Sequence, residues 1–118
     1  MKQLAEVVLE RQDATVIAHL EGEVDLSNVD EIRTALVDAV LHQTECLILD
    51  LTETTYLDST GIRLLFELAE RLEGRRQQMR LVVNDAALVR RVIELTQLDQ
   101  RVPIDATVAQ AIEASSPA

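Results

Sequence analysis

Several residue types are scarce in this chain of 118 residues, and each scarcity excludes a class of protein. The single cysteine, Cys46, allows neither an intramolecular disulfide nor a multi-cysteine zinc site, and its place in the apolar run CLILDL predicts a small buried thiol. There is no tryptophan, and Tyr56 and Phe66 are the only aromatic residues, so leucine, valine, isoleucine and alanine must build the core. No apolar run approaches the roughly 18 residues of a membrane span and no secretory signal is evident, so we expect a cytoplasmic protein.

Positive charge is also scarce. Eleven arginines and lysines stand against 21 acids, the formal net charge is -10, and Lys2 is the only lysine. Because phosphate backbones and anionic membranes repel such a chain, we expect neither nucleic acid nor a membrane as a partner, and a basic protein surface is the better complement. Solvated helix and loop positions are the usual interpretation of scattered arginines, although five of them could form a local basic patch: Arg75, Arg76, Arg80, Arg90 and Arg91.

The pattern of apolar residues predicts one α/β domain over residues 1–118, with residues 114–118 as a frayed tail. Two β-branched segments, residues 6–10 and 15–20, predict a hairpin that Gly22 ends. Further strands are predicted at residues 46–51, 79–83 and 101–104, the last at a sheet edge because of Pro103. Helices are predicted after Ser27 and over residues 59–74, 84–95 and 107–113. The order β-β-α-β-α-β-α-β-α indicates a mixed, mostly parallel sheet.

Capping residues predict where the helices begin. Ser27, with Asp30 three residues later, predicts a capping box that opens the first helix. Asn84 or Asp85 is the predicted cap of the third helix. One face of the first helix is apolar and should be buried: Val29, Ile32, Leu36 and Ala39.

The acids, histidines and hydroxyls do not form an enzyme motif. Asp50 ends a central strand, as the phosphorylated aspartate of a receiver domain does, but a receiver also needs an acidic pair after its first strand and a lysine after its last. Asp50 is therefore expected to accept hydrogen bonds from backbone amides. A serine hydrolase acting through Ser59 would need a GxSxG elbow and a neighbouring base, and neither His19 nor His42 accompanies such an elbow. Metal, Walker and GxGxxG motifs are missing, so we expect no enzyme activity, metal or cofactor.

The hydroxyl pair Ser59-Thr60 marks the start of the second predicted helix. Ser59 is the predicted cap, which is worth about 1 kcal/mol, and Thr60 is predicted to be a residue of the first turn. The predicted inner face contains Ile62, Leu65, Phe66, Ala69 and Leu72. At 100° per residue, Leu64 lies about 160° from Ile62, on the margin of the polar side, and predicts a contact surface beside the cap.

Three stretches of the sequence resemble the STAS domains and, among them, the bacterial anti-sigma factor antagonists. The first is LEGEVDLSNVDEIRTAL (residues 20–36), which resembles a strand, a glycine-acid turn and the first helix of that family. The second is CLILDLTETTYLDSTGIRLL (46–65), with the Asp-Ser-Thr-Gly loop at residues 58–61, and it is the most specific of the three. The third is VIELTQLDQRVPI (92–104). Together they cover most of the chain.

The resemblance implies a phosphorylation switch at Ser59. In such proteins the serine after the aspartate is phosphorylated by the partner, an anti-sigma factor that is also an ATP-dependent serine kinase. The unphosphorylated antagonist binds that partner and frees the sigma factor, and a metal-dependent serine phosphatase reverses the modification. The resemblance places Asp25 and Asp58 on the surface that meets the kinase. The whole expected partner surface contains Asp25, Asp58, Ser59, Thr60, Gly61, Arg63 and Leu64.

Two positions depart from the family pattern. Gln97 stands where a glycine is expected, and Arg63 makes the start of the second helix bulkier and more basic. STAS domains also occur in stressosomes, in lipid-transport complexes and as tails of anion transporters. The chain shows no membrane segment or added sensory domain, which weakens the transporter and sensor alternatives. A constitutive binding subunit of a stressosome or lipid-transport complex is the remaining alternative, and we expect the free protein to be a monomer.

Overall fold

The computed structural model describes residues 6–115, in which a six-stranded mixed sheet is flanked by four α-helices. The strands are β1 (Glu6–Gln12), β2 (Thr15–Val24), β3 (Cys46–Asp50), β4 (Thr54–Leu57), β5 (Gln78–Val82) and β6 (Ile104–Asp105). The helices are α1 (Val29–Ala39), α2 (Ser59–Gly74), α3 (Leu88–Leu95) and α4 (Val108–Ser115), with a 3-10 helix at Leu98–Gln100. Among these helices none is long and apolar enough to cross a membrane.

The sheet has the strand order β1-β2-β3-β5-β6, and β4 pairs with β2 beyond the end of β3. The hairpin pair β1-β2 is antiparallel and the other pairs are parallel, which confirms the predicted mixed sheet. We did not predict β4. It follows β3 after a short turn and runs beside the end of β2, where the pairing register shifts next to Gly22. Gly22 was predicted to end β2, but the strand continues to Val24. The φ of 102° at Gly22 accompanies the shift in pairing register, as at a β-bulge.

Helices cover both faces of the sheet. The larger core lies between the sheet and α1, α2 and α3, and the predicted buried face of α1 is confirmed at all four residues. A smaller cluster lies under α4, where Ile17, Ile48 and Val82 contact Ala111. Cys46 belongs to this second cluster, and its burial raises the pKa of the thiol to about 11, as expected for an inert structural cysteine.

The predicted caps of α1 and α3 are wrong. The Ser27 hydroxyl donates to Asp25 Oδ1 at 2.6 Å instead of capping α1, so the capping box does not form. Asn28 precedes α1, but its side-chain amide donates to the Glu23 carbonyl in β2 and accepts the Asp25 amide. The third helix begins at Leu88, inside the predicted region 84–95 and later than its predicted cap, because Asn84 Oδ1 accepts the Ala86 amide in a tight turn.

The predicted bounds of α2 are confirmed, but the predicted contact surface at Leu64 is wrong. Leu64 is only 1% exposed and lies between α1 and α2, beside Val37 and Leu68. The sheet covers one side of α2, and α1 covers the adjacent side. The buried face of α2 is therefore wider than the sequence pattern predicted. Residues 114 and 115 of the predicted tail end α4, whereas residues 116–118 lie outside the described part of the chain.

Candidate functional site

The first turn of α2 is capped by Asp58, which lies between β4 and α2 with an extended backbone. Asp58 Oδ1 accepts the Thr60 amide at 2.9 Å and the Gly61 amide at 3.0 Å. The same oxygen accepts the Thr60 hydroxyl. Asp58 therefore fills the role that we predicted for Ser59, and Ser59 is the first helical residue rather than the cap.

The second oxygen of Asp58 connects α2 to the loop between β2 and α1. Asp58 Oδ2 accepts the Leu26 amide at 3.2 Å. Desolvation would raise the pKa of the Asp58 carboxyl, but hydrogen bonds from the Thr60 hydroxyl and from the amides of Gly61, Leu26 and Thr60 outweigh it and lower the pKa below its ordinary value. Asp58 is therefore ionised at neutral pH, so the surface beside Ser59 is negatively charged.

The two hydroxyls of the Ser59-Thr60 pair have different environments. The Ser59 side chain is exposed, and within residues 6–115 its hydroxyl makes no hydrogen bond. The Thr60 side chain is half-buried and its hydroxyl is bonded to Asp58, which confirms Thr60 as a first-turn residue. Of the pair, only the Ser59 hydroxyl is therefore available to an approaching enzyme.

The loop beside Ser59 is organised by Asp25, which is 7% exposed. Asp25 Oδ1 accepts both the amide and the hydroxyl of Ser27, and the Asp25 amide donates to Asn28 Oδ1 at 3.0 Å. We expected Asp25 on the partner surface, but its side chain is buried and holds Ser27 in the loop before α1. The exposed residues here are Leu26, at 74%, Tyr56, at 50%, and Ser27, and they line an open depression beside Asp58.

Two other expected contact residues are also buried. A Cβ atom on Gly61 would lie 3.1 Å from Leu57 Cδ2 and 3.2 Å from Val24 Cγ1, so the glycine lets α2 approach the sheet closely. Leu64 is buried where α2 packs against α1. Arg63 is exposed and makes no ion pair within the described residues. Of the expected partner surface, Ser59 and Arg63 are exposed, while Asp58 and Thr60 are half-buried.

An apolar groove of about 230 Å³ continues the surface from Tyr56 to α3. Its rim carries Leu88 and Leu95, which are 78% and 76% exposed. Sequence reasoning missed both sides of this groove, because β4 was not predicted and α3 was given too early a start. The signal that could have found it is the spacing of Leu88 and Leu95, seven residues apart on one face of a short helix.

A second polar cluster lies on the face of the sheet that α4 only partly covers. His19 Nδ1 lies 2.6 Å from Asp50 Oδ2, and His19 Nε2 lies 2.9 Å from Glu10 Oε1. Desolvation lowers the pKa of His19, but the hydrogen bonds to Asp50 and Glu10 outweigh it and raise the pKa above 6.5. Asp50 Oδ1 also accepts the Thr52 amide, as predicted. In residues 6–115 no group of three or more His, Cys, Asp or Glu side chains could hold a metal ion.

Comparisons with known proteins point to one family. The STAS domain model matches residues 6–111 of the chain. An anti-sigma factor antagonist from Mycobacterium paratuberculosis has a similar structure, with a TM-score of 0.86 and 25% identity over 98% of each chain. The unphosphorylated anti-sigma factor antagonist SpoIIAA gives a TM-score of 0.77 at 25% identity, over 92% of this chain and 95% of that chain. Its phosphorylated form, from Bacillus, gives 0.72 at 25% identity over 94% and 100%. A search of curated protein sequences found no significant match.

Proposed function

Because the chain belongs to the STAS domain family, we propose that it is an anti-sigma factor antagonist controlled by phosphorylation of Ser59. In this proposal the unphosphorylated form binds an anti-sigma factor that is also a serine kinase, and the binding frees a sigma factor. Phosphorylation of Ser59 ends the binding, and a serine phosphatase restores it. The chain itself acts in the cytoplasm as a binding protein without enzyme activity, and it is a monomer when free.

The observation that supports this proposal is the state of the Ser59 hydroxyl. It is exposed at the first position of α2 and makes no hydrogen bond within the described residues. A kinase can therefore reach the oxygen without opening the fold. The cap of α2 is supplied by Asp58, so modification of Ser59 removes none of the hydrogen bonds that begin the helix.

A phosphate at this position would add negative charge to a surface that is already acidic. Phosphoserine carries about -1.5 to -2 charges at pH 7, and here it would stand next to the ionised Asp58. The helix N-terminus ordinarily attracts anions, but Asp58 Oδ1 already accepts the amides of Thr60 and Gly61. The phosphate would therefore stay on the surface and would not be absorbed into the end of the helix.

The magnitude of this change is sufficient for a switch. A charged group left unpaired in a closed protein interface costs about 2 to 5 kcal/mol. At about 1.4 kcal/mol for each factor of ten, this corresponds to a loss of affinity of about 30-fold to several thousand-fold. We therefore expect charge at the interface, and not unfolding, to release the partner.

The proposal is tested by intact-mass spectrometry of the protein expressed in its own host, followed by peptide mapping of residues 52–63. We expect one phosphate on Ser59, and Ser59→Ala should remove it. Ser27→Ala is a matched control, because Ser27 is another exposed serine near the same surface but its hydroxyl is bonded to Asp25. If Ser59 stays unmodified in growth, starvation and stress, the switch is rejected and a constitutive STAS subunit becomes the better description.

A further inference from the structure

Arg63 stands one helical turn after Ser59 on α2. Residues four apart on a helix lie on the same face, with Cβ atoms about 5 to 6 Å apart, and long side chains lean toward the helix N-terminus. In the side-chain rotamers usual for a helix, the Arg63 guanidinium comes within reach of Ser59. Both residues are exposed, and neither side chain has a hydrogen-bond or ion-pair partner within residues 6–115.

Most donors at the start of α2 are already occupied, and the exception is the Ser59 backbone amide, which has no acceptor within residues 6–115. The amides of Thr60 and Gly61 and the Thr60 hydroxyl donate to Asp58 Oδ1. The Ile62 amide donates to the Asp58 backbone carbonyl at 3.0 Å. A phosphate on Ser59 could reach the occupied donors only by displacing the ionised Asp58, and the Ser59 amide is an uncharged donor. Arg63 offers a charged donor that requires no displacement of Asp58.

We propose that Arg63 is the counter-ion of phosphorylated Ser59 and binds the phosphate across one turn of α2. The inference rests on the proposed function in one respect, that Ser59 carries the phosphate. The planar guanidinium suits this role because its N–H groups can donate two parallel hydrogen bonds to phosphate oxygens. Arg63 then has two states: it is free to meet a partner while Ser59 is unmodified, and it is occupied by the phosphate afterwards.

The pairing changes the surface without cancelling the proposed switch. An exposed ion pair at this spacing favours the ionised phosphate by a factor of about 2 to 5. This factor is far smaller than the loss of partner affinity of about 30-fold or more that an unpaired interfacial charge produces. The phosphate keeps a net negative charge, and Arg63 no longer presents a free positive charge. Phosphorylation would thus add about 1.5 to 2 negative charges and pair the one positive charge of Arg63 at the same place.

The test uses the full chain with phosphoserine encoded at position 59 during translation. Phosphorus NMR follows the second ionisation of the phosphate, which ordinarily has a midpoint near pH 6. The midpoint of the phosphate ionisation should be lower with Arg63 than in Arg63→Gln by about 0.3 to 0.7 of a pH unit, which is the factor of 2 to 5 given above. Arg63→Lys should recover part of the difference, and the Arg63 Nε–H resonance should titrate with the same midpoint.

Two matched controls separate a specific pair from general electrostatics. Arg71 is exposed on the same helix but lies three turns from Ser59, and Arg91 is exposed on α3 beside Tyr56. Changing either to Gln should move the midpoint by less than about 0.1, and 1 M salt should abolish the Arg63 effect because its screening length is about 3 Å. The proposal is overturned if Arg63→Gln leaves the midpoint unchanged or if Arg91→Gln moves it instead. Because the phosphoserine is encoded, this result is independent of whether the host modifies Ser59.

Discussion

Replacement of Leu64 by alanine tests whether α2 buries this residue or presents it to a partner. Leu64 is 1% exposed and lies beside Val37 and Leu68 where α1 meets α2. Truncating a fully buried leucine removes its transfer free energy and leaves a cavity, which together cost about 2.7 to 5 kcal/mol. For a domain of this size each kcal/mol lowers Tm by about 3 to 5 °C, so Leu64→Ala should lower Tm on the order of 10 to 20 °C.

The assay is urea unfolding followed by circular dichroism, with Leu26→Ala as the control. Leu26 is 74% exposed, so the same substitution should change the free energy of unfolding by no more than about 0.5 kcal/mol. The burial of Leu64 is refuted if Leu64→Ala lowers the free energy of unfolding by less than about 1 kcal/mol. The burial of Leu64 is refuted equally if Leu64→Ala and Leu26→Ala lower the free energy of unfolding by the same amount.

Three further changes have defined outcomes. The raised pKa of His19 stabilises the fold fully below about pH 6.5, and this contribution is lost as the pH rises through the folded pKa. Urea midpoints should therefore fall as the pH rises above about 6.5, but not in His19→Gln. A parallel fall in both proteins would contradict the link between His19 protonation and stability. Asp58→Ala should lower the free energy of unfolding by about 1 kcal/mol. Asp58→Asn should lower it less, because asparagine retains a capping oxygen. Equal losses for the two variants in a denaturant titration would count against Asp58 as the cap. Gly61→Ala places a Cβ 3.1 Å from Leu57 and should lose about 1 kcal/mol, so an unchanged thermal midpoint would show that the contact relaxes.

The parts of the fold that follow from local periodicity were predictable from the sequence. The buried face of α1 and the fully buried β3 depend on apolar residues repeating at helical or strand spacing, and both were correct. The strand β4 could not be found in this way. Its four residues carry little pattern, and it exists because the end of β2 offers a parallel edge after the irregularity at Gly22.

The candidate site shows the same limit. The position of Ser59 at the start of α2 was predictable, because a hydroxyl pair followed by glycine precedes an amphipathic run. The identity of the cap was not, since aspartate and serine cap equally well and the choice depends on which side chain faces the first amides. The exposure of Leu64 was predicted wrongly because it depends on tertiary packing. A helical wheel gives the angle of Leu64 around α2 but not the position of α1, which covers it.

The adjacent residues Asp58 and Ser59 separate the stability of the fold from the proposed signal. Asp58 makes the hydrogen bonds that begin α2 and bind the neighbouring loop, whereas the Ser59 hydroxyl makes none within the described residues. A phosphate on Ser59 can therefore change the charge of the surface while the bonds of the cap persist. If Ser59 were itself the cap, modification would alter the helix start and the affinity together. The observed arrangement allows repeated phosphorylation and dephosphorylation of one stable structure.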